Sequence, residues 1–78
     1  MTATELGACA RYIDRDLSHL AKMLGTPAEI MRSIQSRFKS PQLQARYILK
    51  HWHSAGDGSK QELTDILNDA GFSEAAQV

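Results

Sequence analysis

Apolar residues in this 78-residue chain recur at the spacing of one helical face (i, i+3, i+4, i+7) in five separate segments. The five stripes are Leu6, Cys9, Ala10 and Ile13; Leu17, Leu20, Ala21 and Leu24; Ile30, Ile34 and Phe38, with Met31 beside them; Ala45, Ile48, Leu49 and Trp52; and Leu63, Ile66, Leu67 and Ala70. No sustained alternation of period two competes with them, and the only valine is the last residue. The pattern predicts an all-α chain.

Polar residues, proline and glycine mark the expected helix ends. Residues 26–29 (Thr-Pro-Ala-Glu) and 59–62 (Ser-Lys-Gln-Glu) read as capping boxes, and residues 2–5 as a third. Ser40 and Pro41 form a cap followed by proline at the first helical position, and Asp14 or Asp16 can cap the second helix. Gly25 and Gly71 stand where a helix ends in a left-handed residue, and residues 55–58 form a loop. After Phe72, a sixth helix capped by Ser73 is expected to be short or frayed.

Size and composition predict one small domain, residues 1–78, with its core within about residues 6–76. Hydrophobic residues make up 42% of the chain, enough for one modest core. The side chains assigned to that core are Leu20, Leu24, Ile34, Ile48, Leu49, Trp52, Leu63, Ile66 and Leu67. Truncation of Trp52 to alanine is expected to cost about 3–5 kcal/mol. Short connections between these helices favour a compact antiparallel bundle.

Several functional classes are disfavoured by composition alone. No segment approaches the roughly 20 apolar residues of a membrane helix, and the first ten residues do not look like a signal peptide. A single cysteine cannot form an internal disulfide, which favours a cytoplasmic setting. The formal net charge is zero, which argues against a general nucleic-acid binder. We therefore expect no membrane partner, and the charge disfavours nucleic acid as a partner.

The chain lacks a convergent set of reactive groups. Cys9 lies on an apolar stripe and is expected to be a buried, inert thiol. His51 and His53 are two residues apart on a helix and point in different directions, so they form a poor metal pair. Residues 56–60 lack the spacing of a phosphate-binding loop. These observations predict a non-enzymatic protein with no metal, no cofactor and no small-molecule substrate.

One interpretation of residues 17–38 is a DNA-binding helix-turn-helix. Such motifs place an alanine and, four residues later, a glycine between two helices, as at Ala21 and Gly25. The recognition helix would then run over residues 27–38. It would offer to DNA the side chains of Arg32, Ser33, Gln35, Ser36 and Arg37.

A second interpretation covers about residues 6–76. Residues 16–25 (DLSHLAKMLG) resemble the second helix of death domains, in which an acidic residue and a tryptophan precede Leu-Ala-x-x-Leu-Gly; Leu17 stands in the tryptophan position. Ile30, Ile34 and Phe38 look like the third helix, and residues 48–52 (ILKHW) are similar to the fourth. Residues 62–76 (ELTDILNDAGFSEAA) resemble the fifth helix and the turn into the sixth, most closely in death domains of the NF-κB precursor type.

The resemblance implies a six-helix Greek-key bundle that assembles signalling complexes with other death-domain proteins, homotypic or heterotypic. Apoptotic, innate immune or NF-κB-type signalling would be the setting. The family implies three asymmetric contacts. The first joins the first and fourth helices to the second and third. Another joins the end of the fourth helix and its following loop to the turn between the fifth and sixth, and the last joins the third helix to loops of a neighbour. A different helical adaptor is the remaining alternative.

Polar residues off the apolar stripes are the candidate partner-binding residues. On the first and second helices we expect Arg11, Asp14, Arg15 and Asp16; on the third, Arg32 and Arg37; on the fourth, Arg46, Tyr47 and Lys50; and in the acidic last third, Asp57, Glu62, Asp65 and Asp69. Tyr47 is the expected interface anchor, because it is an aromatic residue off the core stripe. Residues 26–53 carry an excess of four positive charges and residues 54–78 an excess of four negative charges. The zero net charge therefore conceals a basic and an acidic region.

Overall fold

The structure is a computed structural model that describes residues 3–56 and 59–77. Within these ranges the chain forms α-helices and no strand, which confirms the all-α prediction. The helices are α1 (Ala3–Ala10), α2 (Leu17–Met23), α3 (Ala28–Arg37), α4 (Pro41–Ala55), α5 (Lys60–Asp69) and α6 (Ser73–Ala76). In this described part of the chain, no helix is long and apolar enough to cross a membrane.

The longest helix, α4, organises the packing. It contacts α1, α2 and α3, while α6 contacts both α5 and α1. Ala45, Ile48 and Leu49 form the buried face of α4, and each is 0% exposed. Their i, i+3, i+4 spacing places them on one side of the helix, so α4 meets its neighbours along a continuous apolar seam.

The core draws on every helix of the described chain. Of the residues assigned to it from the sequence, those that are buried are Leu20, Leu24, Ile34, Ile48, Leu49, Leu63 and Leu67. Trp52 and Ile66 are only partly buried and pack against this cluster. Trp52 lies in the last turn of α4, and an indole is rarely enclosed on all sides. Phe72 and Ala75, at 4% and 0% exposure, attach α6 to the core.

Two glycines end helices as the sequence predicts. Gly25 and Gly71 have φ values of 74° and 87°. After α2, the Thr26 amide donates to the Ala21 carbonyl at 2.8 Å; after α5, the Phe72 amide donates to the Leu67 carbonyl at 2.7 Å. These bonds across six residues, with a left-handed glycine one residue earlier, define the Schellman motif. Each motif satisfies a helix-end carbonyl and turns the chain sharply into the next segment.

The predicted N-terminal caps are only partly correct. Ser59 caps α5, since its Oγ accepts from the Glu62 amide at 3.2 Å. Ser40 is the N-cap of α4 and is followed by Pro41 at the first helical position. The Ser40 Oγ, however, donates to the Gln42 side chain at 3.1 Å instead of accepting from the backbone. Asp16 occupies the N-cap of α2 in a left-handed conformation (φ 51°) without a capping bond. Phe72, not Ser73, is the N-cap of α6.

The capping box at residues 26–29 is not formed. Pro27, not Thr26, is the N-cap of α3, and Thr26 Oγ1 is buried with no hydrogen-bond partner among the described residues. The physical reason is that Thr26 already belongs to the Schellman motif after α2, which fixes its backbone and directs its side chain inward. Thr2, the proposed cap of the box at residues 2–5, lies outside the described residues, and so do residues 57 and 58 of the predicted loop.

Two apolar stripes extend past their helices. Ile13 is 0% exposed although α1 ends at Ala10, and it continues the stripe through a turn in which its amide donates to the Ala10 carbonyl at 3.1 Å. Phe38 follows α3 in an extended conformation. The prediction that Arg11, Asp14, Arg15 and Asp16 lie on the first two helices is wrong, because residues 11–16 connect α1 to α2. The two aspartates there favour turns over helix interior.

Gly71→Ala should destabilise the fold where a control glycine does not. At φ 87° an added Cβ is expected to cost about 1–2 kcal/mol, even though open space surrounds it. Gly56→Ala is the matched control, because that site is equally open but has an extended backbone with φ −161°. Urea unfolding followed by circular dichroism at 222 nm measures both changes. Equal losses in the two variants would contradict the assignment of strain at Gly71.

Thr26→Val should stabilise the fold. Valine keeps the shape of threonine and removes a buried hydroxyl that has no partner, a group whose burial costs about 1–3 kcal/mol. We expect the free energy of unfolding to rise by about 1 kcal/mol. Thr64→Val is the control, because the exposed Thr64 hydroxyl donates to the Lys60 carbonyl at 2.8 Å and valine loses that bond. A loss of stability in Thr26→Val would show that the hydroxyl is satisfied in solution.

Candidate partner-binding surface

The side of α4 opposite the buried seam is a mixed basic and apolar stripe. Leu43, Arg46, Tyr47 and Lys50 recur at i, i+3, i+4 and i+7 and are all exposed. Leu43 and Tyr47 are 43% and 37% exposed, which is high for large hydrophobic side chains. Because Ala45, Ile48 and Leu49 hold the opposite side in the core, the rotation of α4 leaves this stripe facing solvent.

Grooves on either side of this stripe join it to α1 and α3. A groove of about 440 Å³ between α1 and α4 is lined by Arg11, Leu43 and Arg46 among others. A groove of about 250 Å³ between α3 and α4 is lined by Arg37, Tyr47 and Lys50 among others. A third hollow contains Arg46, Tyr47 and Lys50 together and makes the surface continuous. We call the surface formed by Arg11, Arg37, Leu43, Arg46, Tyr47 and Lys50 the basic band.

The charge of the basic band has one sign. Four cations line its grooves, and no Asp or Glu does so among the residues that the structure describes. The structure therefore brings together five of the predicted binding residues: Arg11, Arg37, Arg46, Tyr47 and Lys50. Such a surface attracts an anionic partner and repels a cationic one.

Arg46 crosses from α4 to α1. A Cβ placed on Gly7 would lie 3.8 Å from its Nε and 3.9 Å from its Cζ, so the guanidinium rests over the side of α1 that has no side chain. Arg46 as a whole is exposed, so its charge also faces water. Arg46 and Arg11 line the same groove between α1 and α4.

Tyr47 is held by an aromatic stack. Its ring lies on Phe38 with centroids 4.2 Å apart and planes 14° apart, and Lys50 Nζ lies 5.7 Å from its centroid. The segment that carries Phe38 is fixed in turn, since Gln44 Nε2 donates to the Phe38 carbonyl at 2.7 Å. A ring that is already ordered loses little entropy on binding, which is the property of an interface anchor.

Acidic side chains gather on a different helix. Glu62, Asp65 and Asp69 are exposed and stand at i, i+3 and i+7 on α5, so they share one face. We call these three residues the acidic stripe. Gln61 Nε2 donates to Asp65 Oδ1 at 3.1 Å, and the partly buried Ile66 lies between the members of the stripe along the helix. The remaining acidic candidate, Asp57, lies outside the described residues.

The other predicted binding residues lie apart from both surfaces. In the connection between α1 and α2, Arg15 Nη1 is 3.5 Å from Asp14 Oδ1, and Arg15 Cζ is 5.7 Å from the Phe72 ring centroid. Arg15 therefore ties this connection to the junction of α5 and α6. Arg32 lines a separate groove of about 410 Å³ between α2 and α3, together with Lys22.

Two features of this surface are missing from the sequence interpretation. Leu43 was not a candidate, although a leucine three residues before Arg46 and four before Tyr47 lies off the core stripe of its helix. Phe38 was assigned to the buried side of a helix, and its role as the support of Tyr47 depends on the chain becoming extended after Arg37. Only the first of these carried a signal in the sequence.

Reactive chemistry is sparse in the described residues. No three His, Cys, Asp or Glu side chains among them gather as a metal ion would require. Cys9 is 3% exposed, as its place on the apolar stripe predicts. Burial raises the pKa of its thiol above the ordinary value; the charge of Lys60 opposes this shift and that of Glu5 adds to it.

Comparison of the chain with protein-family models, with curated proteins and with solved structures gave no match in any of the three.

Cys9 should react slowly in the folded chain. The thiolate is the reactive form, and a raised pKa lowers its fraction at any pH below that pKa. We expect the reaction with a disulfide reagent at about pH 8 to be at least about tenfold slower in the folded chain than in urea. Because the chain has a single cysteine, the colour released reports on Cys9 alone. Equal rates in the folded and unfolded chain would contradict the burial of this thiol.

Proposed function

We propose that this chain is a non-enzymatic protein–protein interaction module of the death-domain type, and that its basic band binds an acidic surface of another helical domain. The observation that carries the proposal is the band itself. Four cations and two exposed large apolar side chains form one continuous surface, lined by no acidic side chain in the described part of the chain.

Energetics assign different roles to the two kinds of side chain. An exposed ion pair contributes only about 0.2–1 kcal/mol, so the cations alone give modest affinity. They steer the encounter and reject basic partners. Full burial of an exposed apolar side chain of this size contributes about 1.5–3 kcal/mol. Leu43 and Tyr47 are already more than half buried, so each would add roughly 1 kcal/mol on binding.

The resemblance to death domains supports this choice of partner. Six short helices in the expected order are compatible with it, and α1 and α4 are two of the helices through which the family makes contacts. The proposed partners are accordingly other death-domain proteins, homotypic or heterotypic, in cytoplasmic signalling complexes of the apoptotic, innate immune or NF-κB type.

DNA binding through residues 17–38 is the second candidate. The observation that favours it is the largely polar exposed side of α3, which carries Arg32, Gln35 and Arg37. Against it, α2 and α3 both pack on α4, and Arg37 borders the α3–α4 groove instead of standing clear of the bundle. The basic band could attract phosphates without reading a sequence, so a test must separate protein from DNA.

Arg46→Glu should weaken binding to an acidic death domain by at least about tenfold while leaving the helical signal at 222 nm unchanged. One charge reversal in a surface of one sign replaces an attraction with a repulsion. Lys22→Glu is the control, because it makes the same charge change on α2, away from the band. Purified death domains with acidic helix faces are the probes, and fluorescence anisotropy measures the affinity.

A labelled DNA duplex of about 20 base pairs belongs in the same assay. Tight duplex binding that falls steeply with salt, with no binding to any acidic death domain, would overturn the proposal in favour of the second candidate. Equal weakening by Arg46→Glu and Lys22→Glu would overturn the assignment of the binding surface to the band.

A further inference from the structure

We infer that a second copy of this chain can occupy the basic band, and that it presents the acidic stripe of α5 to it. The inference rests on the proposed function, because it assigns a partner to the same surface. The two surfaces have opposite charge and occupy different parts of one molecule: the band lies on α3, α4 and the residue that follows α1, and the stripe lies on α5.

The spacing of the charges matches. Arg46 and Lys50 are four residues apart on α4, and Asp65 and Asp69 are four residues apart on α5. Four residues rise roughly 6 Å along any α-helix, so two adjacent helices can pair both charges at once. Tyr47 adjoins the two cations and Ile66 adjoins the two carboxylates. Antiparallel helices, which pair Arg46 with Asp69 and Lys50 with Asp65, also bring these two apolar side chains to the same side of the contact.

The cations of the basic band and the carboxylates of the acidic stripe take no part in the ion pairs seen within the described part of the chain. The described structure pairs Arg15 with Asp14 and Lys60 with Glu5. Neither pair includes a cation of the basic band or a carboxylate of the acidic stripe. Both surfaces therefore stay charged toward solvent.

Two other arrangements of two copies bring like charges together. A symmetric dimer through the band would place four cations against four cations. The contact of α1 and α4 with α2 and α3, which the death-domain resemblance implies, would set Arg11 and Arg46 against the groove lined by Lys22 and Arg32. Like charges across an interface oppose binding, so the acidic stripe is the complementary surface that the chain itself offers.

A contact between the band and the stripe is head-to-tail. Each such contact leaves one free band and one free stripe, so the assembly can add further copies in an open chain or close into a ring. The average mass should therefore rise steadily with concentration and fall as salt screens the charges.

Sedimentation velocity of the 78-residue chain from about 10 μM to about 1 mM tests this inference at low and high salt. Two variants reverse the charges: Arg46→Glu with Lys50→Glu, and Asp65→Lys with Asp69→Lys. We expect the wild type to associate and each variant alone to remain monomeric. An equimolar mixture of the two should associate again, because each restores the surface that the other has lost. Lys22→Glu with Glu29→Lys is the control and should behave as the wild type.

A wild type that stays monomeric, a mixture that fails to associate, or a stripe variant that associates alone would each overturn the inference. If a charge-reversed variant loses its helical signal, two neutral variants replace the charge-reversed ones. They are Arg46→Gln with Lys50→Gln, and Asp65→Asn with Asp69→Asn. A mixture of these neutral variants should stop at the mass of two chains. If the wild type stays monomeric but Arg46→Glu still weakens binding to the acidic death domain, only this inference is overturned. If the wild type stays monomeric and Arg46→Glu leaves that binding unchanged, the proposed function is overturned as well.

Discussion

The burial of one face of α4 is the constraint on which the rest of the structure depends. Ala45, Ile48 and Leu49 are wholly enclosed, and α1, α2 and α3 all pack against the helix that carries them. Truncation of a buried Ile or Leu costs about 2–5 kcal/mol, against a total stability of about 5–15 kcal/mol for a typical domain. Because three helices pack on this one helix, the orientation of α4 is fixed by its packing.

That orientation also determines the candidate binding surface. Because side chains on a helix are about 100° apart, the burial of Ile48 and Leu49 leaves Arg46, Tyr47 and Lys50 on the outside. The core and the basic band are therefore two sides of one helix. A core substitution that rotates α4 would disturb the band without touching any of its residues, which is why binding measurements need a parallel measurement of fold.

The sequence predicts what depends on helical periodicity and on residues with a strong preference for one position at a helix end. The core stripes, Gly25, Gly71 and the Ser59 cap are of this kind. It does not predict choices between two local motifs, such as Thr26, which can serve either as the cap of α3 or as part of the turn after α2. Nor does the sequence predict how far an apolar stripe continues beyond the end of its helix. At Phe38, which follows α3, packing against Tyr47 determines the position of the side chain. The cations of the band are visible as polar positions, but their continuity comes from tertiary packing of three helices.

The distribution of charge opposes the stability of the isolated chain. Like charges four residues apart on a helix destabilise it by about 0.2–0.5 kcal/mol, and both Arg46 with Lys50 and Asp65 with Asp69 are such pairs. Exchanging one charge between the two helices would relieve both repulsions and leave the net charge at zero. A partner surface of opposite sign offsets these repulsions as well, because each of the two like charges then gains an attractive contact. Segregated charge at zero net charge therefore makes physical sense in a chain that acts in contact with another surface.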